Sequence, residues 1–291
     1  RRNLELFRGG RWGESQHSLL STLDLTATPM GGRMLKQWLN QPLLDIDSIR
    51  LRQDGIESIF NDATTRQDIF LKLHRMPDIE RLLNRIATSS ASPRELIQLK
   101  NGLKAVAELR QIVQEADSIP LWLWRNMEPS HPIIALIEES LDDDYTSGSS
   151  EFGSIKKGYS EDLDTLRRTS NNSKEHIANI ESRERDRTTI KSLKVGYNRI
   201  FGYFIEVSNS NLHNIPQDYI RKQTLVGGER FITSELKEYE STILNAQELI
   251  EELEASLFRQ VCNHITQQSS KLADTAFTIG ILDVISSFAE T

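Results

Sequence analysis

The chain has 291 residues and a mass of 33.3 kDa, a length that predicts about two domains rather than one hydrophobic core. Its formal net charge of -7 comes from 42 acidic and 35 basic residues. This excess of acid excludes attraction of the whole molecule to nucleic acid or anionic lipid, so any such binding must be local.

The first 140 residues or so read as a succession of helices with explicit start signals. Thr28, which precedes a proline, is typical of an N-cap, and Ser92 with Glu95 forms a capping-box pattern. Shorter amphipathic patterns cover Asp47 to Phe60 and Asp78 to Ala87. The whole block is predicted to be a helical bundle.

The composition changes between Leu141 and Gly158, where an acidic run and a segment rich in Ser and Gly predict a connection or a small hairpin. A charged helix is predicted from Ser160 to Arg187. A second helix, from Leu236 to Leu257, keeps heptad spacing of its apolar residues for three heptads. We predict that the two helices pack antiparallel as a stalk; the alternative is that each is an ordinary solvated bundle helix.

The segment between these two helices has the composition of β structure. Ile190 to Val207 is dense in β-branched and aromatic residues and predicts two short strands, with bends at Gly196 and Gly202. Phe231-Ile232 is a candidate third strand. The predicted fold is therefore mainly α: a helical bundle in which two long antiparallel helices carry a small antiparallel β sheet at the tip.

Positive charge is concentrated in this β-rich segment. From Arg187 to Gly228, six bases stand against two acids, a local charge of +4. Bases with Asn and Tyr donors beside strands can engage phosphate oxygens without reading base sequence. The alternative is that the lysines only keep the strand edges solvated. The candidate phosphate-binding side chains are Arg187, Lys191, Lys194, Asn198, Arg199, Arg221 and Lys222.

Signatures of catalysis are weak. The chain has neither a G-x-x-x-x-G-K-[ST] phosphate loop nor a G-x-S-x-G elbow, and Gly31-Gly32 lies inside a helical pattern. Asp78 with Glu235 and Lys237 mimics a nuclease set, but Asp78 is better explained as a helix cap. The six histidines have no metal-binding or triad spacing. We therefore predict no catalytic residue and no metal site.

Compartment and processing can also be predicted from the sequence. Cys262 is the single cysteine and cannot form an internal disulfide, which favours a reducing compartment. No segment free of Asp, Glu, Lys and Arg exceeds eleven residues, which predicts neither a membrane span nor a secretory signal. The chain begins with Arg1-Arg2-Asn3 rather than Met, which suggests a piece of a longer protein.

Several sequence runs resemble one known family, MutS, the DNA mismatch repair proteins. Residues similar to its lever, or core, domain form the runs 1–6, 19–33, 38–43 and 78–86. The most specific run, IKSLKVGYNRIFGYFIEV at 190–207, resembles the MutS clamp and continues at 219–225 and 229–231. The resemblance covers essentially the whole chain. Because the related MutS2 family has the lever without this clamp, the run favours MutS proper.

The resemblance implies both an organisation and a role. Residues 1–157 and 239–291 would form a discontinuous core/lever domain, and residues 158–238 a clamp inserted in it. In the family, the lever connects an ATPase domain to a clamp that closes over the DNA backbone without sequence preference. Phe204-Ile205-Glu206 matches the Phe-x-Glu motif of the family's separate mismatch reader, but we interpret it as coincidence because it lies in a predicted clamp strand.

Cofactors and partners follow from the same resemblance. This chain alone is expected to bind no cofactor and to catalyse nothing, whereas ATP and Mg²⁺ are expected for the parent protein. Expected partners are double-stranded DNA and, for the parent protein, a second MutS subunit and MutL. The fragment itself is expected to be monomeric and to have no membrane partner. The expected location is the bacterial cytoplasm, in association with the nucleoid. The alternatives are a helical stalk that docks an acidic protein, and a structure-specific nuclease detectable by Mg²⁺-dependent cleavage of duplex DNA.

Overall fold

A computed structural model describes residues 6–7, 18–143, 153–198, 200 and 202–291. The fold is mainly α with a small antiparallel sheet, as the sequence predicts. The chain divides into two compact units: a helical unit, Arg1–Ser150 with Phe258–Thr291, and a sheet unit, Glu151–Leu257. The domain boundaries drawn from the sequence, at 157/158 and 238/239, stay a prediction beside this division.

The elements follow one another in a simple order. In the described part of the chain seven helices come first: α1 Leu19–Leu23, α2 Pro29–Asn40, α3 Ile46–Phe60, α4 Ala63–His74, α5 Ile79–Ala87, α6 Pro93–Glu115 and α7 His131–Ser140. The sheet and its long helices follow: α8 Glu161–Thr188, β1 Lys194–Asn198, β2 Gly202–Ser208, β3 Ile220–Thr224, β4 Gly228–Ile232 and α9 Ser234–Gln267. Helix α10, Ser269–Glu290, is the last element of the chain. Short 3₁₀ helices lie at Leu121–Leu123 and Asn209–Asn214.

The helix starts predicted from capping residues are confirmed. The Thr28 hydroxyl accepts a hydrogen bond from Gly31 N at 2.9 Å, and Ser92 N donates to the Glu95 carboxylate at 2.8 Å. The Asp78 carboxylate accepts from Arg81 N at 3.1 Å, which makes it the cap that the sequence predicts. These side chains satisfy N–H groups that have no partner within the first turn of a helix.

Helix α10 forms the centre of the helical unit and packs against α2, α3, α4 and α5. Its side chains are buried on most sides, so its sequence has no amphipathic stripe by which it could be predicted. It is the one helix among the described residues that is long and apolar enough to cross a membrane, but 72% of its most apolar window is buried inside the protein. That burial is typical of a central core helix.

Helices α8 and α9 run antiparallel, as predicted. Arg183 pairs with Glu235 near one end, and the His176 ring stacks on Tyr239 with centroids 5.1 Å apart. At the other end, Arg167 donates to Glu254 at 2.5 Å. Residue numbers thus fall along α8 as they rise along α9. Apolar residues of both helices join the core beneath the sheet, which contains Ile177, Ile180, Leu236 and Ile243.

The sheet has the strand order β1-β2-β4-β3, and all of its pairings are antiparallel. The predicted bend at Gly202 is confirmed by its φ of +76°. The bend predicted at Gly196 is wrong, because this glycine lies within β1. A Cβ there would lie 2.7 Å from the Phe204 ring, so the glycine provides room for that ring. Strand β3 was not predicted.

Candidate nucleic-acid interface

One end of the sheet brings together residues that are distant in sequence. Lys194 at the start of β1 pairs with Glu206 near the end of β2, and Ser208 pairs with Gly228. Asn209 N donates to Gly227 O at 3.2 Å, which places the β3–β4 turn at this same end. We call this end of the sheet the lysine edge, after Lys191 and Lys194.

The two lysines of this edge are exposed and available to a ligand. Among the described residues, no ion pair holds Lys191 or Lys194. The acid nearest to Lys194 in the strand pairing, Glu206, is instead held by Arg230 at 2.9 Å. Arg230 in turn stacks on Phe204, 4.0 Å from the ring centroid. The negative charge of Glu206 is therefore already compensated.

Arg187, one of the predicted arginines, is ion-paired. Arg187 pairs with Glu184 at 2.8 Å and with Asp218 at 3.0 Å. Glu184 is only 4% exposed and also accepts from Tyr219 Oη at 2.9 Å. The Arg187 side chain is thus part of a partly buried ion-pair network with Glu184 and Asp218. Contacting a phosphate would require it to give up part of these ion pairs.

Strand β3 carries two further predicted cations, Arg221 and Lys222. Arg221 pairs with Glu229 at 2.8 Å, while its side chain stays 63% exposed. Lys222 is exposed at a shift in the β3–β4 register, between Arg221 and Gln223. No ion pair holds Lys222 within the described part of the chain. These two residues lie on the strand at the far side of the sheet from β1.

Asn198 lies at the opposite end of β1 from Lys194, about 13 Å away for a strand of this length. Its Oδ1 accepts from Ile200 N at 2.8 Å, which supports the β1–β2 turn. Arg199 lies outside the described residues. The structure therefore brings Lys191 and Lys194 together, but it does not bring Asn198 to them.

Sequence reasoning missed four uncharged side chains at the lysine edge. Three serine hydroxyls and one amide form a connected group, which we call the hydroxyl cluster: Ser192, Ser208, Ser210 and Asn211. The alternation of Ser and Asn at 208–211 was a signal that could have found three of them. Ser192 could not have been found in this way, because only the folded chain brings it to residues sixteen or more positions away.

Comparison with known proteins shows to which family the chain belongs. The family model for MutS domain III matches residues 1–289. The chain belongs to the MutS family. It is 41% identical over 290 residues to the DNA mismatch repair protein MutS of Caldanaerobacter subterraneus, covering 99% of this chain and 33% of the relative. It is 43% identical to the proteins of the same name from Salinibacter ruber and Methanosarcina acetivorans, covering 100% and 99% of this chain and 32% and 33% of the relatives.

The chain thus spans about a third of the length of the curated MutS proteins that it matches. It matches the part of these DNA mismatch repair proteins that corresponds to MutS domain III. Its fold class and family agree with the resemblance carried by the 190–207 run, which includes all of β1 and most of β2.

The other candidate sites of this MutS segment have structural explanations. Asp78 caps α5 and accepts from Arg33 at 2.6 Å, and it lies in a different unit from Glu235 and Lys237. Gly31 lies within α2, where a Cβ would come 2.1 Å from an Asp283 oxygen. Among the described residues, no group of three or more His, Cys, Asp and Glu is placed to hold a metal ion.

Proposed function

We propose that the sheet unit of this MutS segment binds the backbone of duplex DNA without sequence preference, as a clamp. The observation that carries the proposal is the pair of unpaired, exposed lysines, Lys191 and Lys194, at one end of the sheet. Lysine contacts to phosphate oxygens position a protein on DNA but carry no base information. Binding should therefore be equal for matched and mismatched duplexes.

The charge distribution supports a local and weak interaction. The whole chain carries a net charge of -7, whereas the segment from Arg187 to Gly228 carries +4. The ion pairs of Arg187 and Arg221 already use part of that positive charge. Two freely available lysines on an acidic protein give few phosphate contacts, so we expect measurable affinity only at low salt.

Mechanical coupling is the second part of the proposal. Helix α9 is continuous over 34 residues, from Ser234 to Gln267, and its residues belong first to the sheet unit and then to the helical unit. A single helix without a break transmits a displacement along its axis better than a loop does, because its backbone hydrogen bonds resist extension. We propose that it serves as a lever to an ATPase domain elsewhere in the parent protein.

The same proposal assigns partners to the parent protein rather than to this segment. ATP and Mg²⁺, a second MutS subunit and MutL would act on the parent in a bacterial cytoplasm, near the nucleoid. This segment alone would catalyse nothing and bind neither nucleotide nor metal ion.

The DNA-binding proposal predicts a specific change in salt dependence. Lys191→Ala with Lys194→Ala should reduce the slope of log K against log salt by about 1.8, since each phosphate contact contributes about 0.9. The measurement is fluorescence anisotropy of a labelled random duplex over a series of low salt concentrations.

The matched control removes two exposed lysines from the helical unit, Lys36→Ala with Lys271→Ala. Neither lysine has an ion pair among the described residues, so the change of net charge is the same. This control should leave the slope within experimental error of the wild type. Equal slopes for the wild type and the Lys191/Lys194 variant would contradict the proposal. Binding of an acidic protein that random duplex does not displace would favour the stalk interaction module instead.

A separate prediction concerns assembly. Leu236, Tyr239 and Ile243 of α9 share a core with Ile177 and Ile180 of α8 within one chain. Ala246 is also buried and Leu253 is half-buried. We therefore expect light scattering to report mainly monomer at micromolar concentration. A stable dimer that Leu253→Asp dissociates would contradict this expectation.

A further inference from the structure

Two residues of the hydroxyl cluster, Ser192 and Ser210, are exposed and the other two are half-buried, and the four side chains are held close together. Ser192 Oγ and Ser208 Oγ are 3.4 Å apart, and Ser208 Oγ and Ser210 Oγ are 3.2 Å apart. The Asn211 amide donates to Ser192 Oγ at 3.1 Å and to Ser208 Oγ at 3.0 Å. Three hydroxyl groups and an amide NH₂ thus converge on a small area of the surface.

Local backbone structure does not account for this arrangement. Ser208 precedes the 3₁₀ helix Asn209–Asn214, where a serine ordinarily caps the first turn, but its side chain makes no capping hydrogen bond. Asn211 likewise directs its amide to two hydroxyls rather than to the backbone. The neighbouring Asn209 shows the contrast, because its amide donates to Val226 O at 3.1 Å and supports the β3–β4 turn.

The chemistry of the cluster favours an anion over a cation. No carboxylate among the described residues accepts a hydrogen bond from these four side chains. Ser192 lies between Lys191 and Lys194 in sequence, and the cluster shares their end of the sheet. Hydroxyl and amide groups donate more strongly to a charged phosphate oxygen than to one another, since a charge-assisted hydrogen bond is about twice as strong as a neutral one.

We infer that Ser192, Ser208, Ser210 and Asn211 form a neutral phosphodiester-binding site that hydrogen-bonds the duplex backbone between the two lysines. The inference rests on the proposed function, since the lysines attract the DNA and the cluster then fixes one phosphate group. Neutral donors and lysines make different contributions: the lysines release counterions, and the neutral donors do not. The two contributions can therefore be measured separately.

The decisive variant is Ser192→Ala with Ser208→Ala. It should weaken binding of a random duplex about tenfold while leaving the slope of log K against log salt unchanged. The reason is that hydrogen bonds to phosphate are lost while the number of released counterions stays the same. The measurement is the anisotropy salt series used for the lysine variants.

Two controls separate a direct contact from loss of structure. Ser241→Ala with Ser270→Ala removes two serine hydroxyls from α9 and α10, outside the cluster, and should leave affinity unchanged. Ser208→Thr keeps the hydroxyl on a residue that suits a strand and should bind within about twofold of the wild type. If the double variant exposes the amides of Gly196 and Phe204, which pair across β1 and β2, to exchange, Ser210→Ala replaces it. The Ser210 hydroxyl contacts only Ser208 among the described side chains, and its loss should weaken binding about threefold.

The outcomes distinguish this inference from the function on which it rests. Unchanged affinity for the serine variants, with a reduced slope for the lysine variant, would overturn the hydroxyl site and leave DNA binding intact. A reduced slope for the serine variant would also overturn it, because the serines would then act by placing the lysines. Unchanged slopes and affinities for both variants would overturn both proposals.

Discussion

Asp283→Ala is expected to destabilise the helical unit by about 3–5 kcal/mol. Asp283 is only 2% exposed and accepts three hydrogen bonds at the start of α2: from Ala27 N at 2.9 Å, from Thr28 N at 2.8 Å and from the Thr28 hydroxyl at 2.6 Å. Removal of the carboxyl group would leave buried donors without an acceptor. Burial raises the pKa of this carboxyl group, and the three hydrogen bonds oppose the rise.

Tryptophan fluorescence during urea unfolding can measure this loss in one unit alone, because all four tryptophans lie within residues 1–150. The matched control is Asp274→Ala, an exposed aspartate on the same helix. It should change the free energy of unfolding by less than about 0.5 kcal/mol. The loss of unfolding free energy for Asp283→Asn should fall between those of the two alanine variants. Its amide keeps one acceptor oxygen, but its NH₂ group is a donor and cannot accept from the Thr28 N–H. Equal losses for the two alanine variants would show that the buried carboxyl group contributes nothing.

Gly202→Ala is expected to destabilise the β1–β2 hairpin by about 2–4 kcal/mol. Gly202 has a φ of +76°, which strains any residue that has a Cβ. A Cβ there would also lie 2.2 Å from a Glu240 oxygen. Glu240 accepts from Tyr203 N at 2.9 Å, so displacing its carboxylate would also remove a partner of the hairpin backbone.

Amide exchange at Gly196 and Phe204 measures the stability of this hairpin, because these two residues pair across β1 and β2, whereas the Val195 and Tyr203 amides donate to Glu181 and Glu240 instead. Gly227→Ala is the matched control, since a Cβ at Gly227 would meet no atom within 4 Å and its φ is not positive. It should leave exchange unchanged. Gly202→Ala combined with Glu240→Ala should relieve the clash, but it should restore neither the unstrained backbone nor the acceptor of Tyr203 N. Unaltered exchange in Gly202→Ala would refute the assignment of strain to this turn.

The sequence by itself determined the helix starts, the fold class and the family. Thr28, Ser92 and Asp78 could be predicted as capping residues because a cap depends on neighbours within three positions of the chain. The strands β1 and β2 could be predicted from β-branched and aromatic residues that alternate over a short run. The family could be recognised because the 190–207 run is long and specific.

The tertiary structure alone decided which cations are free. Arg187 and Lys191 look equivalent in sequence, but Arg187 is paired with Asp218, thirty-one positions away, whereas Lys191 has no ion pair in the described part of the chain. In the same way Ser192, in the turn before β1, meets Ser208 at the end of β2, and the Asp283 carboxylate reaches Thr28 from 255 positions away. Contacts between distant residues depend on strand register and helix packing, which no local pattern encodes.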